Sequence, residues 1–133
     1  MQWAALIAWI ITALGGLALA FHWARHGGLR QQEGIRTPRL ATHLVTAVVG
    51  LGLWIAYLAS GDTVLAWLAV GVLVAVALIG ISMLLLSLRG QTNTIRTEAP
   101  AEGVLPLPLV ILHGALATTT VTLAILAALE IGS

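Results

Sequence analysis

The side chains of this 133-residue sequence best suited to chemistry are four histidines, His22, His26, His43 and His113, with Met83 as a softer candidate. Imidazole is the commonest protein metal ligand and a poor lipid-facing group, so several histidines within one thin layer of a membrane would suggest a bound metal or haem. His22 and His26 are four residues apart, which on a continuous helix would put both on one face, a spacing suited to zinc, copper or iron. Gly27-Gly28 follows at once and reads as a helix terminator, leaving His26 as a solvated last-turn residue at the C-terminal dipole. His22 has three readings: a ligand, a partner for a cofactor carboxylate, or an interfacial anchor. The absence of cysteine excludes disulfides, thiolate-held metals and a thiol nucleophile.

The elements that must position these groups are membrane spans. Hydrophobic residues make up 59% of the chain and charged residues 8%, with a mean hydropathy of +1.03, outside the range of a soluble domain. Four apolar stretches, 3–24, 40–59, 64–88 and 104–129, each supply the roughly 20 helical residues needed to cross a hydrocarbon core. They are continuous rather than alternating, so helices and not barrel strands are expected: an all-α, multi-pass, four-helix up-down bundle forming one domain. The first stretch has no basic leader or small-residue cleavage site and reads as a retained helix. Thr37-Pro38 predicts a cap and an N1 proline for the second helix, Asp62 a side-chain cap for the third, and Pro106 and Pro108 the opening turn of the fourth.

All six basic residues are arginines: Arg25, Arg30, Arg36 and Arg39 around the first connection, Arg89 and Arg96 around the third. The positive-inside rule then makes these two connections cytoplasmic and places both termini outside, as expected for a protein of the cell's inner membrane. All four histidines fall at the cytoplasmic side. From the predicted span starts, His43 lies about 6 Å and His113 about 10 Å into its helix. The second and fourth helices of such a bundle are parallel and diagonally opposed, so imidazoles at these depths can face one another. Helical spacing places Thr46, Ala47 and Gly50 beside His43, Gly114, Ala117, Thr120 and Ala124 beside His113, and Ala18 and Gly15 behind His22. Small side chains next to an axial histidine leave room for a flat macrocycle, although they also serve close helix packing.

On His43 and His113, and on its four-helix architecture, the chain resembles the small b-type cytochromes of membranes, including the cytochrome b561-like group and the anchor subunits of quinone-linked dehydrogenases. The resemblance implies a single haem b near the cytoplasmic side, held by these two histidines; by position, Met83 at similar depth and His22 are alternative ligands. No histidine lies near the opposite face to hold a second haem. It also implies electron exchange with a quinone or a partner protein on that side, because one haem does not bridge a hydrocarbon core of about 30 Å. Arg36, Arg39 and Arg89 are the candidates for the haem carboxylates, with Trp23 at the same interface.

Other classes fit less of the sequence. A small transporter would ordinarily carry an ionisable residue near the midplane, and the spans have no Asp, Glu or Arg before their final turns. A net charge of +1 with topologically explained arginines leaves no nucleic-acid surface. No phosphate-binding glycine loop is present, and Glu33, Glu98 and Glu102 fall in the connections, away from Asp62 and Glu130. The linker from Arg25 to Arg39 is basic enough to attract anionic lipid headgroups, and Gln91 to Gly103 reads as a solvated loop. Thr118, Thr119, Thr120 and Thr122 are expected to bond back onto their own helix. Besides the haem reading, a histidine metal site and a cofactor-free packing subunit of a larger respiratory complex remain; oligomeric state is open. Any enzymatic activity would be that of an oxidoreductase.

Overall fold

The computed structural model describes residues 1–30, 35–92 and 105–129, which form α1 (Gln2–Arg25), a single 3-10 turn (Gly28–Arg30), α2 (Thr37–Ser60), α3 (Thr63–Thr92) and α4 (Leu107–Ala128). All four α-helices are long and apolar enough to cross a membrane. The described residues contain no strand. Arg96, Glu33, Glu98, Glu102, Glu130 and most of the third connection lie outside the described residues.

Local chemistry sets the helix ends. Asp62 Oδ1 accepts the Val64 N–H at 2.9 Å, the side-chain cap expected for α3, and Gly61 turns the chain out of α2 with φ +72°. Gly27, at φ +89°, ends α1 after His26, as the Gly27-Gly28 pair predicts. The start of α2 differs from expectation. Arg36, in an extended conformation, is the N-cap, so Thr37 and Pro38 are already helical and no side chain caps the helix. The proline supplies pre-set φ without needing an N–H partner, which lets the helix start three residues before position 40. In α4 Pro106 is the N-cap, and the helix begins at Leu107 rather than 104.

The bundle is built from two closely packed pairs, α2 with α3 and α1 with α4. The α3–α4 seam is thinner, and the α1–α2 seam thinner still. The end carrying the α2–α3 turn is filled: Ala5, Trp9, Trp54, Tyr57, Ala66, Ala69, Ala124 and Ala127 form its core. Trp54 meets the Tyr57 ring edge-on at 5.1 Å between centroids and lies 6.4 Å from Trp9. Trp54 Nε1–H donates to the Gln2 carbonyl and the Tyr57 hydroxyl to Gln2 Oε1, tying α2 to the start of α1. At the opposite, arginine-bearing end a small cluster centred on Trp23 and Ile35 closes the bundle. The space between these two clusters is not filled by side chains.

Candidate cofactor-binding site

That space is a cavity of about 260 Å³ with almost wholly apolar walls, reaching from Trp9 and Thr120 to Trp23, Ile35 and Leu105. His43 and His113 line it together. His43 is six residues into α2 and His113 six into α4, so both lie at the same depth of about 9 Å. The unequal depths read from the sequence came from the displaced helix starts. In both helices a proline precedes the histidine by five residues, Pro38 and Pro108.

Each imidazole rests on a glycine of the helix with which its own helix is paired. His113 lies on Gly15 and Gly16 of α1, where a Cβ at Gly16 would stand 2.9 Å from His113 Cε1. His43 lies on Gly80 of α3, where a Cβ would stand 3.2 Å from its Cε1. One helical turn before the glycine, a backbone carbonyl addresses the ring. Thr12 O accepts a hydrogen bond from His113 Nδ1 at 3.1 Å. A carbonyl can only accept, so Nδ1 carries the proton and Nε2 of the neutral ring keeps its lone pair. Val76 of α3 is the backbone neighbour of the His43 ring, but buried Nδ1 of His43 makes no hydrogen bond. The four-residue spacing Thr12…Gly16 under His113 thus recurs as Val76…Gly80 beside His43, although only His113 makes the hydrogen bond.

The cavity floor is polar at one point. Thr12 and Thr120 Oγ1 atoms meet at 3.1 Å, both buried, while each also lies within bonding distance of its own i−4 carbonyl, Ala8 O and Leu116 O. Two hydroxyls have only two protons for these three contacts, so one of the three is unprotonated at any moment. Thr118, Thr119 and Thr122 bond back to i−4 carbonyls as expected.

Of the residues singled out in the sequence, His43, His113, Ala47, Ala117, Thr120 and Met83 all line the cavity. Three groups stand elsewhere. Gly50 is absent from the cavity wall because it admits the Trp9 ring and Val72 at close range, a packing role in the filled half. His22 does not reach the cavity: its ring stacks on His26 with centroids 4.2 Å apart, and Gly15, expected behind it, packs instead under His113. His26 is exposed and donates through Nδ1 to the His22 carbonyl at 2.8 Å, spending that nitrogen on the helix end. Arg36, Arg39 and Arg89 are exposed at the arginine-bearing end and are not part of the wall. Among the described residues no three His, Asp or Glu side chains converge as a metal site would require. The sequence reading missed Gly16 and Gly80, whose signal was only a glycine inside an apolar run.

Comparison with protein-family models, with curated proteins and with solved structures finds no match. The site's own geometry therefore carries the functional reading.

Proposed function

We propose that this chain is a single-haem, b-type membrane cytochrome in which His43 and His113 are the axial ligands. The observation that carries this is the repeated cradle, in which two imidazoles on α2 and α4 line one apolar cavity, each with its Cε1 against a glycine of the paired helix, and His113 is held through Nδ1 by the Thr12 carbonyl. A carbonyl at Nδ1 fixes ring orientation and raises the basicity of Nε2, the usual second-shell support of a metal-ligating histidine. Two imidazoles are too few donors for a structural zinc site but are what a porphyrin iron takes on its two open faces. The walls suit a flat apolar ring: Ala13, Ala47, Ala77 and Ala117 keep the space between the helices clear. The cavity is somewhat below the roughly 300–1,000 Å³ of pockets that bury drug-sized ligands.

Bis-imidazole haem supplies one-electron transfer. With the arginine-bearing end cytoplasmic by the positive-inside rule, the haem lies close to the cytoplasmic face of the cell's inner membrane. The filled end, packed with Trp9, Trp54 and Tyr57, offers no second site, so the protein exchanges electrons with a quinone or a partner on that same face. Optical spectra of the detergent-purified protein, oxidised and dithionite-reduced, with pyridine haemochrome quantification, test the proposal. One haem b per chain with a sharp reduced α-band is expected, lost in His43→Ala and His113→Ala and retained in His26→Ala. A featureless spectrum after expression with ample haem refutes the proposal and favours a cofactor-free packing subunit.

A further inference from the structure

Trp23 and His43 hold the buried side-chain nitrogens that make no hydrogen bond among the described residues, and both residues line the same cavity. The His43 nitrogen has the Val76 carbonyl beside it. Trp23 Nε1 has nothing comparable. An indole N–H can only donate, and a buried donor without an acceptor costs about 1–3 kcal/mol. Trp23 is 2% exposed, roofed by Gly28, on which a Cβ would overlap the indole, so water does not offset that cost from above. Among the described residues the charged groups at this end are arginines, which are donors too, and the carboxylate, Asp62, caps α3 at the other end.

An acceptor brought by the ligand would supply the partner that Trp23 Nε1 lacks among the described residues. Trp23 lies seven residues beyond Gly16 on α1, about 10 Å along the axis, and helical side chains lean back toward the N-terminus and so toward the histidine layer. That is comparable to the distance from a porphyrin's centre to the carboxylates at its edge. We infer that Trp23 Nε1–H donates to a carboxylate of the bound porphyrin and so orients its carboxylate-bearing edge toward the arginine-bearing end. This inference rests on the haem proposal.

The full-length apoprotein in micelles, titrated with ferric haem and with haem dimethyl ester, tests it. A hydrogen bond to a charged group predicts that Trp23→Phe weakens haem binding by roughly ten- to a hundred-fold. The preference of the wild type for free acid over diester should shrink accordingly, while the α-band stays in place because the axial ligands are untouched. Ultraviolet resonance Raman of the wild type, with the Trp23→Phe spectrum subtracted to isolate Trp23 among the five tryptophans, reads the same bond as an indole N–H band that shifts on loading with haem and shifts less with the diester. Unchanged affinities in a folded Trp23→Phe, or no Raman shift in the wild type, overturns the role of Trp23 and leaves the histidine ligands standing. A wild type that binds no haem overturns both.

Discussion

Adding one methyl group to Gly16 probes the cradle directly. The new Cβ would lie 2.9 Å from His113 Cε1, so the ring must retreat by about 0.5 Å to reach ordinary contact at 3.4 Å. Retreat stretches the 3.1 Å bond from Nδ1 to the Thr12 carbonyl. Overpacking of this kind costs about 1–3 kcal/mol and a weakened hydrogen bond about 0.5–1.5 kcal/mol, against about 1 kcal/mol gained in helix propensity. Gly16→Ala should then lose roughly 0.5–3.5 kcal/mol net. Gly114→Ala, where nothing lies within 4 Å, keeps only the propensity gain and should be neutral or stabilised by up to about 1 kcal/mol. In a His113→Ala background the clash disappears, and Gly16→Ala should become as harmless as Gly114→Ala. Reversible denaturation in mixed micelles of the four single and double variants yields the coupling energy between positions 16 and 113. A coupling near zero, or equal effects of the two glycine substitutions in the wild-type background, would refute the packing of His113 on α1.

Two further tests address the frame around the site. Asp62→Ala removes the acceptor of the Val64 N–H and should cost about 0.5–2 kcal/mol in the same assay, whereas Asp62→Asn, an equally good cap, should stay close to wild type. For topology, the absence of native cysteine makes Leu29→Cys a clean reporter, since Leu29 is exposed in the 3-10 turn at the arginine-bearing end. A membrane-impermeant maleimide should label it in inverted vesicles and not in intact cells, and the opposite pattern would invert the proposed orientation.

The spans were legible because a bilayer demands a continuous apolar run of fixed length, which α1 to α4 supply without ambiguity. Equally plain were Asp62 as a cap, Gly27 as a terminator and the back-bonded threonines, since each depends on neighbours within four residues. His43 and His113 shared a layer in the sequence because the arginines ordered the connections. What could not be read was which helix each imidazole leans on. Gly15 was matched to His22 on its own helix but belongs under His113 of α4, and Gly50 was matched to His43 but belongs to Trp9. Both errors have one cause: helical spacing reports neighbours along a helix, whereas a glycine is chosen by what approaches from another. The depth mismatch had a different source: α2 starts at Thr37 rather than 40 and α4 at Leu107 rather than 104, so the two offsets ran in opposite directions.

The pairing of α1 with α4 also dictates an order of assembly. The α2–α3 hairpin is contiguous through Gly61-Asp62 and can close as soon as it is made, with His43 already on Gly80. The groove at Gly15 and Gly16 must wait for a side chain 97 residues downstream, about 5–20 s of synthesis at ordinary elongation rates. Through that interval α1 holds an unfilled notch against the lipid, and a metalloporphyrin arriving early would meet one imidazole instead of two. Insertion of the last helix is thus the event that brings the second imidazole to the cavity, and a chain truncated after α3 would reach the membrane without ever gaining the pair.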